Sequence, residues 1–241
     1  PAGGVASGSI RLDGEELLDA DEATLRRVRG GQVGVIFQEP MTALNPLMRI
    51  GDQVAEVVAL HRKVSRAEAL AVAAEALERA GLPNGQFPLD RYPHELSGGQ
   101  RQRVAIAMAT ALKPALIIAD EPTTALDVTT QAQILDLLKD LVRSQGAALI
   151  LITHDLAVVA QTADRVAIMS EGQIVEQGPT AHLFRNLTHP YSRRLAADAV
   201  LADAPPPAAA GDGPPVLQVE GVVRTYAPRG LFRRGEGFRA V

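Results

Sequence analysis

Polar residues stand at the ends of three apolar runs. Gln38 closes Val33-Gly34-Val35-Ile36-Phe37, the pair Asp120-Glu121 closes Ala115-Leu116-Ile117-Ile118-Ala119, and Thr153-His154 follow Ala148-Leu149-Ile150-Leu151-Ile152. Adjacent carboxylates in such a place suit a metal-assisted displacement. Asp120 would face a divalent cation, often through water, and Glu121 would accept a proton from, or orient, an attacking water. Pro122 stops its run at once and fixes the pair at the end. Each polar residue alone also reads as a turn residue or a helix cap. At three run ends together they imply one shared site on one rim, because open α/β sheets bind ligands at the carboxyl ends of their strands.

A second segment with chemical potential is Leu96-Ser97-Gly98-Gly99-Gln100. Ser97 and Gln100 have the spacing of a capping box. That box does not call for Gly98 and Gly99, each of which costs about 1 kcal/mol relative to Ala in a helix. Glycines at a helix N-terminus let backbone N–H groups approach a phosphate, with the macrodipole adding attraction.

The elements that must position these groups alternate between strand and helix patterns. Gly8 to Leu12, followed by Asp13-Gly14, predict a strand entering a hairpin turn. Val54, Val57, Val58 and His61 recur at helical spacing, and Ser65 to Glu68 form a capping box opening an Ala-rich helix that stops at Gly81. Val104, Ala107, Met108 and Ala111 predict the inner face of the helix opened by Ser97. Ile134, Leu138, Leu141 and Val142 mark an amphipathic helix ending at Gly146, and Val166 to Met169 with Ile174 to Gln177 predict a hairpin. Near-continuous apolar strands between helices predict an α/β fold whose sheet is mostly parallel and buried on both faces.

Composition narrows the function classes. The 241 residues carry 24 Lys+Arg against 28 Asp+Glu, a net charge of −4, which argues against a dedicated nucleic-acid binder. There is no Cys, so disulfides, thiol chemistry and thiolate-held metal centres are excluded from these residues. The stretch 201–215, LADAPPPAAAGDGPP, cannot build a packed element and reads as a semi-rigid linker. It separates a domain over 1–200 from the opening of another over 216–241, which carries five Arg and two Glu.

Leu96-Ser97-Gly98-Gly99-Gln100 resembles the signature of ATP-binding cassette (ABC) ATPases, and it precedes a Walker-B-like strand as in that family. The other landmarks follow in family order. Gln38 resembles the Q-loop glutamine that senses metal and γ-phosphate, Ala125-Leu126-Asp127 the D-loop at the dimer interface, and His154 the switch histidine. Phe37 to Pro46, Arg91 to Leu96 and His189-Pro190-Tyr191 resemble the ATPases of oligopeptide, dipeptide and nickel importers, over roughly residues 8–200.

The resemblance implies a P-loop NTPase-like cassette with a helical subdomain inserted over about 41–103, using ATP and Mg²⁺. Glu121, His154 and Gln38 would be catalytic, with Asp120 and Gln38 at the metal. Ser97, Gly98, Gly99, Gln100 and Asp127 would serve nucleotide in a head-to-tail pair of cassettes. Its implied partners are transmembrane permease subunits and an extracytoplasmic solute-binding protein, with no nucleic acid, at the cytoplasmic face of the membrane. A non-transport cassette ATPase or a regulatory nucleotide-binding module is the alternative.

A P-loop requires G-x-x-x-x-G-K-[ST]. The three lysines, Lys63, Lys113 and Lys139, are followed by Val64, Pro114 and Asp140, so these residues contain none. Either the cassette is degenerate, or its first strand and P-loop precede Pro1. The start at Pro1-Ala2-Gly3-Gly4 without Met favours the second expectation, in which the 241 residues alone would be inactive. Pro215 to Tyr226 resembles the first strand of a second cassette. Tyr226 would then stack on adenine, or else be an ordinary edge-strand tyrosine.

Overall fold

The computed structural model describes residues 6–38 and 43–201, with the short stretches 225–226 and 238–239. The chain divides into two compact units, residues 1–199 and 200–241. Met41, positions 202–215 of the expected linker, and the last 26 residues apart from those two stretches lie outside the described residues.

In the first unit, β1 (Arg11–Leu12) and β2 (Glu15–Glu16) pair antiparallel around Asp13-Gly14, both at positive φ. The hairpin is where the sequence places it, only shorter. Helix α1 (Glu22–Val28) follows, capped by the Asp21 side chain, which accepts from Thr24 N. It leads into β3 (Val33–Ile36).

Helices α2 (Ile50–His61) and α3 (Arg66–Arg79) build a helical layer with its own core. Val54, Val58, Ala73, Ala76 and Leu77 are at most 1% exposed there. The Ser65–Glu68 capping box forms as expected, and Gly81 takes the left-handed φ of 78° just beyond the C-cap. A 3-10 turn over Pro93–Glu95 precedes α4 (Gly98–Thr110).

Helix α4 belongs to two cores. Val104, Ala107 and the following Ala111 pack with α2 and α3, and Met108 is partly buried against them. Ile106 and Ala109 pack instead with Ile36, Ile117, Ala119, Ile134, Leu138 and Leu141. Each large aliphatic side chain buried there is worth about 1.5–3 kcal/mol, so α4 ties the helical layer to the sheet. Gly34 permits the approach: a Cβ there would collide with the Ala109 carbonyl.

β4 (Leu116–Asp120), α5 (Val128–Gln145) and β5 (Ala148–Ile152) complete the central layer, with α5 ending at Gly146 in the left-handed conformation. The order is β3-β4-β5, all parallel, with Val35, Ile118 and Ile150 in one row. The expectation of a sheet buried on both faces needs correction. Side chains alternate along a strand, and α4 and α5 cover the face carrying Ile36, Ile117 and Ala119. The opposite face is only partly covered, with Val35 37%, Ile150 48% and Ile152 48% exposed.

Helix α6 (Leu156–Thr162) then leads to the hairpin of β6 (Arg165–Ser170) and β7 (Gln173–Pro179). Its turn residues Glu171 and Gly172 both have positive φ, as a primed hairpin turn requires. Short α7 (Thr180–Leu183) and α8 (Pro190–Leu201) close the unit, so Leu201 ends a helix rather than opening the linker. Glu176 on β7 accepts from Thr188 N at 2.7 Å, Thr188 Oγ1 at 2.6 Å and His189 N at 3.1 Å. The His189-Pro190-Tyr191 triplet is therefore the start of α8, pinned to the hairpin by one carboxylate. In the second unit β8 (Thr225–Tyr226) pairs antiparallel with β9 (Phe238–Arg239). Among the described residues, no helix is long and apolar enough to cross a membrane.

Candidate functional site

The three parallel strands end together. Ile36 lies beside Ala119, and Asp120 beside Ile152, so the next residues of each run leave from the same rim. Glu121 N donates to Ile152 O at 2.9 Å, extending the ladder by one step. The chain then turns sharply. Glu121 has φ +43°, a left-handed conformation that costs a non-glycine residue of order 1–3 kcal/mol, and Thr124 N closes the turn on Glu121 O at 3.1 Å.

This turn aims the Glu121 side chain at the other two run ends. Its Oε2 accepts from Gln38 Nε2 at 3.1 Å and from Thr124 Oγ1 at 2.8 Å, while Oε1 is 2.9 Å from His154 Nδ1. The His154 contact, and after it the Thr124 hydroxyl, hold the Glu121 carboxyl below the usual carboxylate range, outweighing partial desolvation. A carboxylate offers about four lone-pair sites, so three side chains leave room for roughly one more donor, such as a water.

The set is unevenly exposed. Glu121 is 23% exposed and His154 78%, so the imidazole sits where it can swing at little energetic cost. The Asp120 carboxylate, at the last rung of β4, has no side-chain hydrogen bond among the described residues. With Gln38 it borders a cavity of about 480 Å³ walled by Val35, Phe37, Ala105 and Met108. Among the described residues no three His, Cys, Asp or Glu side chains are grouped to hold a metal. Mg²⁺ does not need such a cage: it takes one or two carboxylates and completes its shell with phosphate and water. Asp120 could supply such a carboxylate, and Gln38 a neutral amide oxygen, beside the same cavity.

Among the described residues, Ser97 to Gln100 make no hydrogen bond to this set. Ser97 caps α4 with both bonds of the box, Ser97 N to Gln100 Oε1 at 2.9 Å and Gln100 N to Ser97 Oγ at 3.3 Å. Their neighbours lie on the segment leaving Glu121: a Cβ on Gly98 would lie 3.6 Å from Leu126, and one on Gly99 only 2.6 Å from Thr130 Cγ2. Gly99 thus has a packing reason that the sequence did not disclose, whereas Gly98 has only ordinary clearance. Asp127 caps α5, accepting from Thr130 N at 3.0 Å and Thr130 Oγ1 at 2.7 Å. The Thr130 hydroxyl and amide hold the Asp127 carboxyl below its ordinary range.

Two site residues were missed in the sequence, Thr124 and Thr130. Each lies three positions after a carboxylate that opens a turn or helix, and that spacing was the available signal. For Tyr226 only the backbone pairing with Phe238 is described, which leaves its adenine contact an expectation.

An open parallel sheet with polar groups converging at its carboxyl rim, joined to a helical layer through one capped helix, defines a ligand-binding α/β cassette. The family model described as ABC transporter matches residues 3–124, and the chain belongs to that family. It is 51% identical over 197 residues to the oligopeptide transport ATP-binding protein OppD of Bacillus subtilis, covering 82% of this chain and 55% of OppD. It is 46% identical over 244 residues to the glutathione import ATP-binding protein GsiA of Salmonella choleraesuis, covering 91% of this chain and 39% of GsiA. The chain thus spans little more than half of one relative and well under half of the other. Among solved structures it resembles the dimeric ATP-binding cassette MJ0796 bound to ADP and Pi, at TM-score 0.63 and 32% identity, covering 72% of this chain and 74% of that one.

Proposed function

We propose that the whole protein binds and hydrolyses ATP to energise import of peptides or related small solutes, working beside transmembrane permease subunits at the cytoplasmic face of the membrane. The observation that carries this reading is the convergence of Gln38 and His154 on the Glu121 carboxylate at one rim. Glu121 would orient an attacking water and take its proton. His154 and Gln38 would turn from Glu121 toward the γ-phosphate side, and Asp120 with Gln38 would hold Mg²⁺. Bound Mg²⁺ supplies neutralisation of the charge that develops on the phosphates. OppD and GsiA, named for oligopeptide transport and glutathione import, support the solute class and, with it, an extracytoplasmic solute-binding protein as a partner.

Among the described residues the rim has no Gly-rich phosphate cradle, and the fold suggests where one would fit. β5 is an outer strand of its sheet, and the face around Ile150 and Ile152 is apolar and open. Exposed apolar edges are aggregation hazards that proteins cover. A strand, Gly-rich loop and helix would cover them while delivering the loop to Glu121, so a P-loop elsewhere in the whole protein is the economical reading. The match to GsiA takes in 91% of the chain and so runs beyond residue 201. That supports a second cassette after the linker, with Ser97, Gly98, Gly99 and Gln100 facing the nucleotide of the partner cassette and Asp127 at the junction between them.

The test is Glu121→Gln in the full-length protein. Turnover should fall by at least a hundredfold while Mg-ATP binding persists. Near-wild-type hydrolysis by the Gln38-to-His154 half would overturn the assignment.

A further inference from the structure

We infer that Thr124 is the positioning residue that keeps the Glu121 carboxylate aimed once Gln38 and His154 have turned away from it. The inference rests on the proposed hydrolytic role of Glu121. The three partners of that carboxylate differ in how they are tethered. Gln38 and His154 arrive from other strand ends, 83 and 33 residues away in sequence, and His154 is largely in solvent. Thr124 lies three residues on, within the same turn. Its amide already binds Glu121 O at 3.1 Å while its hydroxyl donates to Oε2 at 2.8 Å.

Whatever moves Gln38 and His154 toward a ligand leaves the Thr124 bond in place, because the turn carries donor and acceptor together. A carboxylate on a left-handed residue with two of its three donors withdrawn would otherwise sample several rotamers. The hydroxyl restricts it to the one facing the rim. Thr124 touches neither water nor nucleotide in this role; it acts through Glu121. The backbone bond from Thr124 N remains in any substitution except proline, so replacing the hydroxyl separates aiming from folding.

The experiment compares Thr124→Val and Thr124→Ser in the full-length protein with its permease. Thr124→Val should lower kcat about tenfold to a hundredfold, the scale at which small misplacements act. KM for ATP and the melting temperature should stay near wild type, and Thr124→Ser should recover most of the rate. A second readout needs no turnover. In the nucleotide-free protein, the ¹³C carboxylate signal of Glu121, assigned by its loss in Glu121→Gln, should shift in Thr124→Val and return in Thr124→Ser. An unshifted signal, an unchanged kcat in Thr124→Val, or a Ser variant as slow as Val would overturn the inference. If the wild type itself hydrolyses no ATP, the functional reading fails, and the carboxylate signal still decides whether Thr124 holds Glu121.

Discussion

A Cβ on Gly99 would lie 2.6 Å from Cγ2 of Thr130, closer than two carbons can approach. Thr130 cannot simply rotate away, because its hydroxyl is bound to Asp127 at the head of α5. The start of α4 and the start of α5 are thus fitted through one missing methyl. The two signature glycines should therefore respond differently. Gly98→Ala gains about 1 kcal/mol of helix propensity against ordinary clearance from Leu126, and should be neutral or stabilising. Gly99→Ala should lose about 1–3 kcal/mol by overpacking. Adding Thr130→Ser, which removes Cγ2 and keeps the hydroxyl, should restore most of that loss. Denaturant melts of the single and double variants check this, and equal effects of the two glycine substitutions would contradict it.

The parts of the site legible in sequence are those written locally. The Ser65 and Ser97 capping boxes need only four residues each, and both form. The meeting of Gln38, Glu121 and His154 was legible because parallel strands of similar length bring their ends to one rim. The open face was misread for a physical reason. Val35, Ile118 and Ile150 have the composition of a buried surface, and composition reports that an apolar face needs a cover without saying which residues supply it. Thr124 and Thr130 were not legible, since their roles depend on the left-handed turn at Glu121 and on how closely α4 meets α5.

Glu176 makes acid sensitivity at the start of α8 predictable. The neighbouring buried Ser192 hydroxyl, although it closes no hydrogen bond of full geometry, and then the Thr188 hydroxyl and the Thr188 and His189 amides bring the Glu176 carboxyl down to about 2. A carboxyl depressed on folding stabilises the fold above its unfolded value near 4.5, and that contribution is lost as pH falls from there toward about 2. The protection factors of the Thr188 and His189 amides, exchange rates referred to the unstructured rate at the same pH, should fall across that window in the wild type. In Glu176→Gln the protection factors should be lower already at neutral pH and should change little across that window. Protection that survives to pH 2 unchanged would exclude the latch.

The half-exposed face makes a contrast between the 241 residues and the whole protein proposed above. Ile106 is fully buried between α4 and the sheet in the described structure. Ile106→Ala should cost about 2–5 kcal/mol in either setting. Ile150 is 48% exposed on the opposite face, so Ile150→Ala in the 241-residue chain removes few contacts and should cost about 0.5 kcal/mol or less. If the strand, loop and helix proposed to cover that face are present in the full-length protein, Ile150 becomes a core residue there. The same substitution should then cost about 2–5 kcal/mol. Thermal melts of the two variants in both lengths decide the point. A mild Ile150→Ala effect in the full-length protein would mean that the face stays open and that the phosphate loop, if there is one, is carried elsewhere.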